Sequence, residues 1–457
     1  ARLVRDVEKA LAAGTSPAVE DVLAVGRTLL AQADACLEAN DLKSTAAQAA
    51  RAAAVLFHRT LHFDQALSAL AADPSGFLAP WHESQVGARV ARRLSTSRPS
   101  WSGRPASVAV MSYKNMTFVP PLERALTELG VASHRVDLAD VAPGSVPLSP
   151  LQQIGARLRD PAPAPWTAAL DAALGDSDVL FVDWGQRGAV AASLLPDRRR
   201  RTIVRLHSFE AFTAFPHLLD WSAVDDLVFV GPHLRDLLVP QLRGFDPATT
   251  RTHVIPISVD AAHWLRPKSD GASRTLALVG WAAPAKDAVW ALDLLARLRA
   301  QDPAYRLVLV GHEPAADGPA GVRQYRDAVL ARLAEADVAG AVERVPFTSD
   351  VAALLQGVGV IVSSSVRESL HLAVIEGAAS GAVPVVRDWP MLAAYDGPRR
   401  LFPSDWVVDD LDAAVARVWS TDLAADGAAA AAAAKERFDD AVARDAVAAM
   451  LDLPCPT

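Results

Sequence analysis

The run Gly359-Val360-Ile361-Val362, Ser363-Ser364-Ser365-Val366-Arg367-Glu368-Ser369-Leu370-His371-Leu372, Ala373-Val374-Ile375-Glu376-Gly377-Ala378-Ala379-Ser380-Gly381, and then Val383-Pro384-Val385-Val386 changes texture three times. Gly359–Val362 is short, apolar and β-branched, which suits a strand buried on both faces. Small polar residues follow, and then a helix is expected over Ala373–Ser380, closed by Gly381. Val383–Val386 reads as the next strand. Strand, loop, helix and strand in that order form the unit of a parallel sheet with helices on its faces. Ligands of such sheets bind at the C-terminal ends of the strands. A helix that begins there presents free N–H groups and the positive end of its dipole, an anion site suited to a diphosphate.

The same alternation extends outward in both directions. Strands are expected at Leu276–Val279, Leu307–Val310 and Val342–Val345, and one last helix over Asp422–Ala449, whose alanine run needs no reading beyond helix formation. Upstream, strands are expected at Val108–Met111, Val179–Val182, Thr202–Leu206 and Asp226–Val230, with a helix over Pro121–Leu129. His253–Asp260 ends that series, and Arg266–Ser273 is polar enough for a linker. The expected fold is therefore α/β, with two Rossmann-like doubly wound parallel-sheet domains, 105–265 and 270–450, facing across a cleft.

Residues 1–95 differ. Apolar residues recur at three- and four-residue spacing in Val4–Leu11, Val19–Leu37 and Thr45–Leu70, with breaks at Gly14–Pro17 and Asn40-Asp41, so a separate helical module is expected. Its aromatic portion, Leu56, Phe57, Leu61, Phe63, Phe77, Leu78 and Trp81, must be buried against the N-terminal sheet domain or against a second copy, and a homodimer through these helices is expected. Ser95–Pro105 reads as a linker and Asp160–Pro165 as a Pro/Ala loop.

Hydrophobic residues make up 51% of the 457 and charged residues 21%, a globular composition. The formal net charge of −8 gives no general attraction to nucleic acid, which excludes that partner class. The one basic run, Arg198–Arg201, reads as a solvated loop or as a contact with anionic lipid. With only Cys36 and Cys455, no disulfide scaffold or cysteine metal site is available. No leader is read at the start and no apolar run nears the ~18 residues of a membrane span, so a cytoplasmic protein is expected, peripheral on the inner face of the membrane at most.

Three features carry the chemistry. Gly280 ends a strand where the backbone must turn, and Lys286 on the loop Gly280–Lys286 can place a point charge on a phosphate. The polar loop and helix start supply amides. Glu368 and Glu376 lie eight residues apart, expected on one crevice, where a carboxylate can accept two hydrogen bonds from a ribose diol.

Glu368–Val386 resembles the glutamate–seven-residue–glutamate motif of retaining GT-B glycosyltransferases of family 4. So do the Gly280–Lys286 loop, Leu309-Val310-Gly311-His312-Glu313-Pro314, and Val254–Asp260, in matching order from about residue 105 to 450. The resemblance implies a metal-independent transferase with no cofactor, using a nucleoside-diphosphate sugar as co-substrate and an acceptor that is a glycan, a lipid-linked group or a small molecule; the many Ala, Arg and Asp residues suggest a bacterial source. Its donor-binding set would be Gly280, Trp281, Lys286, Ser369, Leu370, His371, Leu372 and Glu376, with Glu376 on the ribose. Its catalytic pair would be Glu368 and His207, the latter in Val204-Arg205-Leu206-His207-Ser208, with Glu210 near the acceptor. Trp281 stands where the family usually has Arg, and Ser369 and His371 where it has glycines. That removes one phosphate-neutralising charge; His371, Arg367 and Arg387 are the cations that could replace it. The other reading is a catalytically degenerate GT-B protein serving as a binding or scaffold subunit.

Overall fold

The computed structural model describes residues 2–94, 101, 103–159 and 163–454. Most of the expected linker Ser95–Pro105, the first part of the loop Asp160–Pro165, and Cys455 lie outside the described residues. Two parallel sheets of six strands each form the frame. The first contains β1 (Ser107–Ser112), β2 (Ala132–Asp137), β3 (Val179–Asp183), β4 (Arg201–Leu206), β5 (Asp226–Phe229) and β6 (Arg251–Val254), in the order β2-β1-β3-β4-β5-β6. The second contains β7 (Thr275–Val279), β8 (Arg306–Val310), β9 (Val342–Val345), β10 (Val360–Ser363), β11 (Val383–Arg387) and β12 (Val407–Val408), in the order β12-β11-β10-β7-β8-β9. Each order reverses once, between β1 and β3 and between β7 and β10. A crevice opens at such a reversal because the connections leave to opposite faces. Gly280 and the Ser363–His371 loop follow the two strands that flank the second reversal.

The expected strands are all present, and β2, β6 and β12 are additional; β6 is the other edge of the first sheet and none of its residues is fully buried. In β2 only Val136 is buried, so an edge strand carries no apolar run to read; β12 has only two residues. The last helix is two. Asp439 is extended (φ −65°, ψ 153°) and caps Ala441, dividing Leu423–Phe438 from Asp440–Met450. The second piece returns to the first sheet domain, where Val447, Ala448 and Met450 join Val108, Val110 and Leu122 in one core and Arg124 pairs with Asp440 at 2.8 Å. The expected boundary at 450 thus cuts across a core, because an alanine-rich pattern specifies a helix and not its destination.

The N-terminal helices do not form a separate module. The stretch expected to be helical to Leu70 breaks after Leu56, and His58 caps a new short helix, Arg59–His62. Helix Leu42–Leu56 packs on Pro150–Leu158 of the first sheet domain. The fully buried Arg157 reaches out of that helix to Val90 O (Nε, 2.9 Å) and Arg92 O (Nη2, 2.5 Å), satisfying carbonyls at the end of helix Gln85–Ala91. Leu56, Leu61, Phe77, Leu78 and Trp81 are buried within the chain, which removes the ground for a homodimer through them. One core runs unbroken from Val4 through Phe229 to Val374, Trp389 and Phe438, joining helices and both sheets.

The basic run is likewise committed. Arg198 meets Asp220 at 3.2 Å, Arg199 and Arg200 meet Asp171 at 2.7 and 2.6 Å, and Arg201 meets Asp226 at 2.7 Å. Arg199 stays exposed, while Arg198, Arg200 and Arg201 are largely buried against these carboxylates, which tie the start of β4 to the elements beside it. Among the described residues, no helix is long and apolar enough to cross a membrane.

Candidate active site

Gly280 ends β7 with φ +77°, a conformation that costs glycine little, and the chain turns sharply there. The turn sends Trp281 inward. Its indole is 1% exposed, packed with Leu276, Leu278 and Leu292, and its carbonyl accepts a bond from Tyr325 at 3.0 Å. The Trp281 side chain is therefore in the core, and only its backbone could meet a donor. A large apolar ring at this turn is worth more in the core than in water.

The loop then brings Lys286 to the opposite strand. Lys286 Nζ lies 2.6 Å from Glu368 Oε1, and Ser365 Oγ donates to the same oxygen at 2.7 Å. Ser364 Oγ donates to Lys286 O at 2.6 Å, and Val366 N to Ala285 O at 2.8 Å, so the two loops are stitched together. Burial by itself would raise the Glu368 carboxyl; the Lys286 charge, with help from the Ser365 hydroxyl, holds it down to about 2. Glu368 is thus an anion across the physiological range, and the Lys286 charge is already partnered.

His371 occupies the left-handed region (φ +63°), a conformation that glycine takes at far less cost, and caps helix Leu372–Ala379. Its Nδ1 is 2.7 Å from Ser363 Oγ, while Nε2 has no hydrogen-bond partner. Burial pushes its pKa down to about 3, so it is neutral at physiological pH in this structure. Arg387 binds Asp287 Oδ2 at 2.6 Å and Ser364 O at 3.3 Å, which keeps it on the Lys286 side. Arg367 points the other way, its guanidinium over Phe63 and Phe212. Leu370 is buried, so only its backbone could meet a ligand.

Glu376 lies in the helix Leu372–Ala379. With Leu372 it faces a cleft of about 420 Å³ whose other walls include Phe118, Arg124, His263 and Trp264. Burial pushes its carboxyl up to about 7. Lys286 and Glu368 do not line this cleft of about 420 Å³. Glu368 turns to Lys286, and Glu376 to the space beside Phe118.

His207 follows β4 and is 1% exposed. Its ring stacks on Trp184 (4.1 Å between centroids) and lies 5.1 Å from Phe118, with Nε2 3.2 Å from Asp183 Oδ1. Arg205 donates to the same oxygen at 2.8 Å and, against the effect of burial, holds Asp183 well below the usual carboxylate range. Desolvation lowers the His207 pKa. Glu210 does not reach toward an acceptor. It is fully buried, its oxygens accepting from Gly185 N (2.8 Å) and His207 N (3.2 Å), and burial pushes it up to about 8. It braces the turns after β3 and β4.

The halves meet beside these groups. Ser208 N donates to Ser369 Oγ at 2.8 Å, Ser369 Oγ donates to Ser208 Oγ at 2.9 Å, and His233 Nε2 lies 3.2 Å from Glu368 O. His207 and Glu368, far apart in sequence, are each next to a residue of this seam. Asp183, Trp184, Phe118, Ser208 and Ser365 were missed at the sequence level. Asp183 carried a signal, as a lone acid at the end of the apolar strand Val179–Val182; the others carried none.

Comparison with known proteins now adds to this geometry. Residues 273–421 match the family model of the glycosyl transferases group 1. Two paired six-stranded parallel sheets form the GT-B fold, and solved structures of that fold superpose on the chain. Anabaena HepE in complex with UDP is 14% identical with a TM-score of 0.56, over 76% of this chain and 99% of that one. Sucrose-phosphate synthase from Thermosynechococcus elongatus is 16% identical with a TM-score of 0.55, over 76% and 98%. TarM of S. aureus is 13% identical with a TM-score of 0.50, and the chain covers 58% of its length. No curated protein matches the sequence. The family match spans much of the second sheet domain, and the solved structures share the fold.

Proposed function

We propose that the chain is a retaining glycosyltransferase that moves a sugar from a nucleoside-diphosphate sugar to a glycan, lipid-linked or small-molecule acceptor, without a metal ion. The observation that supports this best is the Lys286–Glu368 pair at the reversal of the second sheet, next to a helix start and facing the Ser208 seam. On donor binding the diphosphate competes with Glu368 for Lys286. The ammonium and the amides at the start of helix Leu372–Ala379 then neutralise the leaving group, the task a divalent ion performs elsewhere. Glu368, released from Lys286, turns to the donor sugar, and Glu376 takes the ribose diol.

On the opposite side, Asp183 fixes the His207 ring with Nε2 protonated, since its carboxylate can only accept. His207 orients the donor sugar across the seam, at a site finished only when both halves meet. The test is transfer in the presence of EDTA with a panel of UDP-, GDP-, TDP- and ADP-sugars. Retained activity with one donor, and an anomeric configuration unchanged in the product, are expected. Loss on chelation with recovery in manganese would refute the role of Lys286. The second reading, a catalytically inert binding or scaffold subunit, has in its favour the burial of Trp281 where the family has Arg; such a protein would bind the nucleotide or a partner without turnover.

A further inference from the structure

Beside the seam lies a cluster that the roles above do not use. Phe209 directly follows Ser208 and is 39% exposed. Phe63, from the N-terminal helices, packs against it with ring centroids 4.7 Å apart. The Arg367 guanidinium carbon sits 4.7 Å from the Phe63 centroid and 5.6 Å from that of Phe212. Asp64, the acid next to Phe63, is spent on Arg59 at 2.7 Å. Arg367 makes no hydrogen bond or ion pair to any described residue, and its Nε is buried without a partner.

A buried guanidinium Nε–H without a partner is costly, since that group has given up water for nothing. Ring faces offset part of that cost through cation–π attraction but leave the in-plane N–H groups unfilled. Such a group is expected to have a partner that the chain does not supply. The planar fork matches a carboxylate or a phosphate, and an exposed aromatic face beside it offers apolar surface to the C–H face of a sugar ring.

We infer that Phe209, Phe63 and Arg367 form an acceptor subsite for an anionic sugar, with Arg367 binding its carboxylate or phosphate. This rests on the transferase reading, which places the donor sugar at the Ser208–Ser369 seam between Phe209 and Glu368. It also gives the N-terminal helices, which lie outside the family-matched residues 273–421, a share in acceptor choice.

Saturation-transfer NMR on the full chain tests it, with glucuronate, glucose 6-phosphate and glucose as probes in the presence of UDP. Both anions should bind saturably, and glucose about tenfold more weakly, the size of one charge-assisted hydrogen bond. The stronger of the two anions identifies the acceptor charge as carboxylate or phosphate. Arg367→Gln should abolish the preference over glucose while UDP binding and melting temperature hold. Equal binding of all three sugars, no saturable binding of either anion, or a preference that survives Arg367→Gln would overturn the inference. If Arg367→Gln does not fold, Phe209→Ala decides, because its side chain is exposed: glucuronate affinity should fall, and unchanged affinity contradicts the subsite. UDP titrated alone separates the two readings, since glucuronate binding without UDP binding would remove the transferase reading and leave an anionic-sugar site.

Discussion

The two sides of the seam are built differently. On the C-terminal side, Lys286 and Glu368 retain 24% and 15% side-chain exposure, and their mutual bond can be exchanged for a ligand's. On the N-terminal side, His207 is buried under Trp184 and Phe118, and among the described residues its ring's hydrogen bond is to Asp183, itself buried. The pair proposed to meet the diphosphate is partly exposed, whereas the group proposed to meet the sugar is buried and fixed in orientation. Trp184, which covers it, holds φ +68°, a conformation costing a bulky residue roughly 1–3 kcal/mol.

This contrast can be broken at several points. Lys286→Ala removes the diphosphate charge and leaves Glu368 unpaired, so kcat/KM should fall by about 10²–10³, as for loss of one preorganised electrostatic donor. Steady-state kinetics on a folded preparation checks this. Trp281→Arg, which restores the family residue, should not restore charge to the site. With the indole in the core, the buried guanidinium should cost about 3–5 kcal/mol of stability, read by denaturant unfolding. A more active and equally stable variant would show that Trp281 faces the donor after all.

His207→Ala sharpens the comparison from the other side. If the ring orients the sugar, kcat should drop by about 10–100-fold with nucleotide affinity unchanged. If it only fills space between Trp184 and Phe118, the melting temperature should drop and kcat in the folded fraction should hold. Both readings come from one preparation.

The buried carboxylates predict smaller effects of pH. Glu210 titrates near 8 when folded and near 4.5 when unfolded, so the native state binds the extra proton between those values. Stability should therefore decline as pH rises from about 5 to 8, and Glu210→Gln should flatten that decline. Glu376, pushed up to about 7, should bind a ribose diol best as a carboxylate, so nucleoside-diphosphate affinity should strengthen as pH rises through 7. Glu376→Gln should weaken binding several-fold and remove the trend. Calorimetry at pH 6 and 8 decides both.

What was legible in the sequence follows the same division. Buried strands such as Val179–Val182 and Leu307–Val310 are continuous apolar runs, so the two-sheet frame could be read directly. Lys286 and Glu368 could be found because a phosphate site needs particular residue types at strand ends. Edge strand β2 could not, since only Val136 faces a core. The destination of the Asp440–Met450 helix and of the N-terminal helices was illegible for another reason: periodicity shows that a face is apolar and not what covers it. The side-chain direction of Trp281 was illegible because one backbone turn decides whether a loop side chain enters the core or the cleft.

The central claim, that Lys286 and the start of helix Leu372–Ala379 hold a nucleoside diphosphate without metal, is tested most directly by calorimetric titration of UDP, GDP, TDP and ADP in EDTA into wild type and Lys286→Ala. At least one should bind the wild type saturably, with affinity about tenfold or more lower in the variant, the loss expected for one charged contact. No binding by any of the four, or equal affinity in the two proteins, would contradict the account.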